Sequence, residues 1–191
     1  AGEVEIKSSS GISHEFITDR LVYDNGQINS DTDIFYLGEE ANIKAEGMAM
    51  KMDSEIMNLN GNVEIIQESG ATLNSINLFI DNTLGQKKYT GKGKTIYRSN
   101  ENIIHADNGF DINMNSKQTK LLGNVTLNNG LGTSLTSYNL LVDQSNGGEI
   151  FKSNSATRLQ SKTVDIKANN MHYDVINKKL KLTDDVLAIY E

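Results

Sequence analysis

The 191-residue chain has no cysteine, no proline and no tryptophan. Without cysteine, disulfides and thiol chemistry are excluded, and the composition is compatible with an oxidising compartment, where a stray thiol would be a liability. Without proline, a β-rich chain must protect its sheet edges by other means or leave them open to pairing. Apolar content is low: hydrophobic residues make up 37%, below the roughly 45–50% of an average domain. No stretch approaches the roughly 18 apolar residues of a membrane-spanning helix. Nor does a signal-peptide pattern open the chain. Its start, Ala1-Gly2-Glu3-Val4-Glu5-Ile6, reads as a mature or trimmed N-terminus from which a leader or anchor has been removed. Positive charge is also short, with 18 Lys and Arg against 25 Asp and Glu for a net charge of −7. With no long basic run, binding to nucleic-acid phosphates would have to overcome repulsion.

What is present is alternation. Met48, Met50 and Met52 share one parity, as do Ile76, Leu78 and Ile80; Phe110, Ile112 and Met114; and Tyr138, Leu140 and Val142. A period of two places each set on one face of a strand. Asn, Gly and Thr are frequent between them, which suits strands and turns better than helices. Asn25-Gly26, Asn108-Gly109, Asn129-Gly130 and Asn146-Gly147 offer the left-handed conformations of tight hairpins. No Pro-rich, Ser-rich or charged linker divides the chain, which reads as one continuous domain over residues 1–191.

The strands repeat. Lys51-Met52-Asp53 followed by Met57 to Ile65 aligns with Asn113-Met114-Asn115 followed by Lys120 to Leu127, and both contain Gly-Asn-Val. Weaker copies end at Asp24, Asp81, Asp143 and Asp174. The steps from 24 through 53, 81, 115 and 143 to 174 are 29, 28, 34, 28 and 31. A step of that size holds two strands, giving about six hairpin-like units that bury their apolar faces by stacking. Two facing sheets about 10 Å apart, with strands about 4.8 Å apart, would enclose the alternating aliphatics over roughly 30 Å, comparable to an extended acyl chain. Gly61 and Gly123 are expected at bulges or close backbone approaches.

Chemistry is thin. His14, His105 and His172 are scattered without metal-ligand spacing. There is no nucleophile elbow, and Gly91-Lys92-Gly93-Lys94 lacks the phosphate-loop spacing. The recurring Asp24, Asp53, Asp81, Asp143 and Asp174 stand nearly alone, unlike calcium loops, and read as turn caps; Asp184-Asp185 is read the same way. Lys87, Lys88, Lys92 and Lys94 form a small cationic cluster, read as a solvated turn. The chain reads as a non-enzyme with no cofactor and no metal site.

Thr18-Asp19-Arg20-Leu21-Val22-Tyr23-Asp24-Asn25-Gly26-Gln27-Ile28-Asn29-Ser30-Asp31 resembles the opening of LptC-type domains. Ile43-Lys44-Ala45-Glu46-Gly47-Met48-Ala49-Met50-Lys51-Met52-Asp53 and Leu59-Asn60-Gly61-Asn62-Val63 continue the likeness in order over residues 18–66. From residue 71 the chain is similar to the LptA/OstA-like repeat, best in Leu121-Leu122-Gly123-Asn124-Val125. The resemblance divides the domain into an LptC-like part, 15–70, and an LptA-like part, 71–191. It implies an all-β open jellyroll, a V-shaped double antiparallel sheet whose interior takes lipid A acyl chains. It also implies a periplasmic, non-catalytic carrier that passes lipopolysaccharide from an inner-membrane ABC transporter towards the outer membrane. Such proteins join other Lpt components end to end through edge strands, and LptC proteins add an N-terminal membrane anchor.

On this reading the groove is lined by Met48, Met50, Met52, Met57, Leu59, Val63, Ile65, Ile76, Leu78, Ile80, Phe110, Ile112, Met114, Leu121, Val125, Leu127, Tyr138, Leu140 and Val142. Flexible, polarisable methionine suits variable chains. The same side chains would equally suit a closed core. The rival architecture is a structural or adhesive β-solenoid that binds no lipid.

Overall fold

The computed structural model describes residues 2–7, 13–38, 41–51, 56–99, 102–128 and 133–190. The protein is all-β: twenty strands and one single-turn 3-10 helix, Thr83–Gly85, lie among the described residues. The chain divides into two compact units, Ala1–Lys92 and Gly93–Glu191.

In the first unit the strands are β1 (Gly2–Lys7), β2 (Ser13–Thr18), β3 (Val22–Asp24), β4 (Gln27–Ser30), β5 (Ile34–Leu37), β6 (Ala41–Ala45), β7 (Gly47–Lys51), β8 (Ile56–Gln67) and β9 (Thr72–Asp81). They pair antiparallel in two rows. One row runs β1, β2, β5, β6 and the second half of β8. The other runs β3, β4, β7 and the first half of β8. β8 passes through both rows, and β9 accompanies it along its length. The unit is thus one antiparallel meander folded across its strands. The shorter strands break at the fold line, between β4 and β5 and at Glu46, while β8 and β9 bend through it.

The strand β10 (Lys88–Ser99) leads into the second unit, which continues with β11 (Asn102–Ala106), β12 (Phe110–Asn113), β13 (Gln118–Asn128), β14 (Ser134–Asp143), β15 (Ile150–Ser153), β16 (Thr157–Gln160), β17 (Val164–Ala168), β18 (Asn170–Asp174), β19 (Lys179–Thr183) and β20 (Leu187–Tyr190). One row runs from the end of β10 through β11, the second half of β13, the first half of β14, β16, β17 and β20. The other runs β12, the first half of β13, the second half of β14, β15, β18 and β19. These pairings are all antiparallel. Stacked solenoid coils would pair in parallel, so the adhesive-solenoid architecture is excluded for this unit.

The period-two pattern is what the folded sheet uses. In β13, Thr119, Leu121, Val125 and Leu127 are buried while Lys120, Asn124 and Thr126 face out or sit at the surface. Each fully buried aliphatic removes an amount of apolar surface worth about 1.5–3 kcal/mol.

The fold line has its own chemistry, and it occurs twice. Gly61 and Gly123 have φ of +77° and +81°. Each marks a register shift, between Leu59 and Asn62 and between Leu121 and Asn124. In the neighbouring strand, Asn77 and Asn139 adopt φ of +58° and +60°. Gly61 donates its N–H to Asn77 Oδ1 at 2.9 Å, and Gly123 donates to Asn139 Oδ1 at 2.8 Å. A third side chain closes each corner: Asn62 Nδ2 donates to Glu46 Oε1 at 2.5 Å, and Asn124 donates from its backbone N and from Nδ2 to the two Asp107 carboxyl oxygens at 2.7 and 2.8 Å. A bulge leaves one amide outside the ladder, and the asparagine side chain satisfies it. The glycines at bulges agree with the expectation from sequence.

Of the Asn-Gly pairs, Asn25-Gly26 forms the β3–β4 turn with φ of +48° and +77°. Asn108-Gly109 does not make a hairpin. It lies at the fold line between β11 and β12, where Asn108 N–H bonds Leu122 O and Leu122 N–H bonds Gly109 O. Gly147 lies in the β14–β15 loop with φ +73°, and Asn129-Gly130 falls outside the described residues.

Substituting Gly123 by valine places a β-branched side chain at positive φ and drives its Cβ into Asp107 and Asn108. Gly123→Val should lower stability by about 3 kcal/mol or more, whereas Gly85→Ala, at φ +71° with open space around it, should cost about 1 kcal/mol. Urea unfolding followed by circular dichroism reads both.

Candidate functional site

Two rows of side chains cross the inner face of the first unit. In β4, β7, β8 and β9 the registered partners are Ile28, Met50, Met57 and Ile80 in one row, and Ser30, Met48, Leu59 and Leu78 in the next. The second unit repeats the pattern at an offset of 62 residues (Gly61 to Gly123). Ile112, Thr119, Val142 and Phe151 form one row, and Phe110, Leu121 and Leu140 the other.

The structure buries most of the residues expected from sequence to line an interior. Met48, Met50, Met57, Leu59, Val63, Ile65, Leu78 and Ile80 are at most 3% exposed in the first unit. Phe110, Ile112, Met114, Leu121, Val125, Leu127, Leu140 and Val142 are at most 6% exposed in the second. Met52 lies outside the described residues.

Two expectations are corrected. Ile76 and Tyr138 share the parity of Leu78 and Leu140, which predicts them inward, yet they are 58% and 55% exposed. In β9, Leu73 and Ser75 point inward, Ile76 and Asn77 both point outward, and Leu78 and Ile80 point inward again. β14 does the same around Tyr138 and Asn139. A left-handed residue at the bend interrupts the alternation, so two successive side chains reach the outer surface.

The interior also holds residues that the sequence reading passed over: Phe16, Ile28, Ile43 and Leu73 in the first unit, and Tyr97, Ile104, Leu135 and Phe151 in the second. Phe16 packs against Tyr36 in a tilted pair with ring centroids 5.3 Å apart. The signal for Leu73 and Leu135 was the same alternation, read from the other side of the asparagine. Near the fold line the inner lining turns polar. Thr18, Ser30 and Thr32 share hydroxyl contacts of 3.1 to 3.4 Å. Ser137 donates to Ser153 Oγ at 2.5 Å and accepts from Thr157 at 3.2 Å.

The recurring aspartates act in turns. Asp81 accepts from Thr83 N and Oγ1 at 3.0 and 2.5 Å, and Asp143 accepts from Ser145 N and Oγ at 3.1 and 2.6 Å. Asp174 accepts from Asn177 N and Nδ2. Asp143 also takes a 2.8 Å ion pair from Lys152. The Lys152 hydrogen bond, followed by those from Ser145, lowers its pKa to about 2. Asp184 bonds Asn170, and Asp185 bonds Asn169 at 2.7 Å. Asp53 falls outside the described residues. Among the cluster Lys87, Lys88, Lys92 and Lys94, the last three are exposed.

Towards the C-terminal strands the second unit opens. Leu180 is 37% exposed, Leu187 54%, Ile189 51% and Tyr190 72%. Here β19 pairs with β18 and β20 with β17, and apolar side chains that would be covered elsewhere face solvent.

Residues 103–189 match the family described as LptA/(LptD N-terminal domain) LPS transport protein. No curated protein compared with the chain matches it. The matched stretch starts in β11 and ends in β20, taking in the Asp107–Gly123–Asn139 corner and the Phe110 and Ile112 rows. This part of the chain is therefore similar to lipopolysaccharide-transport proteins. The match does not single out LptC, and the likeness of residues 18–66 to LptC-type domains stands on its motifs alone.

The lowered pKa of Asp143 makes a signed prediction. Its contribution to stability is present above the ordinary carboxyl value of 3.8 and is lost as pH falls towards about 2. Asp143→Asn should therefore unfold more readily than the wild type at pH 7, and the gap between their unfolding midpoints should close as pH approaches 2.

Proposed function

We propose that the chain is a non-catalytic, periplasmic carrier of lipopolysaccharide that holds acyl chains against the inward rows of its folded sheets. The observation that carries this reading is the family match over residues 103–189, which falls on the unit whose inner face is built from Phe110, Ile112, Leu121, Leu140 and Val142. An acyl chain entering such a lining gains about 0.8 kcal/mol per buried methylene. The first unit offers the same surface through Met48, Met50, Met57 and Leu59, with methionines able to repack around chains of different length. A net charge of −7 disfavours lipid phosphates on the protein surface, so chains supply the affinity while headgroups stay in water.

The exposed apolar side chains of β19 and β20 support a second element of the reading. They suit association with another Lpt component through a sheet edge that is unpaired among the described residues, in a relay from an inner-membrane ABC transporter towards the outer membrane. The LptC-like motifs of residues 18–66 favour a position near the transporter.

Photo-crosslinking residues introduced at Met50 and Ile112, and as outward controls at Ile76 and Tyr138, test the carrier. Lipopolysaccharide adducts should form from the two inward positions and not from the outward ones. A well-folded protein giving no adduct from Met50 or Ile112, and retaining no lipopolysaccharide on purification, would refute carriage. Ile112→Asp, which puts a charge into the lining, should reduce lipopolysaccharide retention about tenfold or more.

A further inference from the structure

Within the second unit a polar cluster joins the two rows of strands. Tyr97 and Ser99 point inward from the end of β10, in the row of β11 and β16. Glu149 stands at the entrance to β15, in the opposite row. Tyr97 donates its hydroxyl to Glu149 Oε1 at 2.7 Å, and Ser99 donates to Oε2 at 2.6 Å. Gln144 Nε2 donates to Tyr97 Oη at 3.1 Å and to Glu149 Oε1 at 3.4 Å. Tyr97, Ser99 and Glu149 are 0%, 8% and 7% exposed. Burial, then the neighbouring Glu149, raises the pKa of the Tyr97 hydroxyl above its ordinary value, so it remains a donor.

Position gives the cluster its meaning. The fold line of this unit passes through Asp107, Gly123 and Asn139. Ser99 pairs with Asn102, at the end of β11 remote from Asp107. Asp143 pairs with Gln118 and Ile150, at the end of β14 remote from Asn139. The Tyr97–Ser99–Glu149 bonds therefore span the free margins of the folded sheet, on the side away from the bend. An acyl chain entering sideways would have to pass them. The segment carrying Gln144 and Glu149 is a loop with Gly147 at φ +73°. Its Gly148 lies so close to Ile176 that a Cβ there would come within 2.7 Å of Ile176 Cδ1. At the offset that superposes the two corners, the first unit has Asn82 for Gln144 and Lys87 for Glu149, so it lacks the carboxyl at this place.

We propose that the Gln144–Glu149 loop is a side gate of the second unit, closed when Glu149 holds Tyr97 and Ser99 and opened when an acyl chain displaces it. A buried carboxyl with three donors is stable only while those donors stay in reach, and separating it from them favours its return to water. The loop then swings outward, and the inward pair next to it, Val142 with Phe151, is apolar. The gate rests on the carrier reading and adds the route of entry.

Uptake of fluorescently labelled rough-type lipopolysaccharide, followed by stopped flow, tests it. Tyr97→Phe with Ser99→Ala should take up lipid about a hundredfold faster than wild type, the scale of two lost hydrogen bonds to a carboxylate at about tenfold each, with the same final occupancy. In a second protein, Ser99→Cys with Glu149→Cys is bridged by a thiol-cleavable bismaleimide. Uptake should be blocked until the bridge is cut, so the comparison is made within one folded sample. Wild-type uptake with an unchanged rate in the bridged protein overturns the gate and leaves carriage standing, as does a wild-type rate in a well-folded Tyr97→Phe, Ser99→Ala protein. A wild type that takes up no lipopolysaccharide overturns both.

Discussion

The structure depends on a bend that loses no hydrogen bond. An antiparallel meander can bury an apolar face by folding across its own strands, but the longest strands must then turn a corner while still paired. At such a corner one strand needs an extra residue, and the amide of that residue leaves the ladder. Gly61 and Gly123 supply the extra residue because they accept positive φ without a Cβ in the way. Asn77 and Asn139 supply the missing acceptor from the adjacent strand. Left without that acceptor, a partly covered amide would cost about 1 kcal/mol or more, a noticeable share of a domain's net stability of about 5–15 kcal/mol.

From that bend follows the distribution of polarity. Inner residues on either side of the corner are aliphatic, Met or Phe, while the corner is lined by hydroxyls, Thr18 with Ser30 and Thr32, and Ser137 with Ser153 and Thr157. Carboxyl groups serve the turns and corners: Asp107 and Glu46 at the bends, Asp81, Asp143 and Asp174 at strand ends. These carboxyls act on nearby turn and corner groups. Glu149 differs, since two of its donors, Tyr97 and Ser99, come from the opposite row, and that is why it reads as part of a moving contact.

The two units also differ in how well they are closed. The inward rows of the first are nearly inaccessible, whereas the second loosens through β17 to β20, where Leu180, Leu187 and Ile189 remain exposed. A folded sheet that ends in uncovered apolar side chains is a surface for another strand or another sheet. The carrier proposed above would need both, an interior opened to acyl chains and an edge across which they are passed on.

The amino-acid sequence by itself determined the class of the fold and most of the interior. Alternation named Met48, Met50, Phe110, Ile112 and Leu140, and the Gly-Asn-Val copies added Leu59 and Leu121 and marked both bulges, because a strand's period of two and glycine's freedom at positive φ are local properties. The tertiary structure alone decided where the alternation breaks. Ile76 and Tyr138 are turned outward by Asn77 and Asn139, whose left-handed backbone is fixed by a bond to a glycine sixteen residues earlier. Asn108-Gly109 likewise serves a bend rather than a hairpin, since its partner strand continues past it. Tyr97 and Glu149 lie 52 residues apart in the chain. No periodicity connects them, and only the folding of one row over the other brings the hydroxyl to the carboxyl.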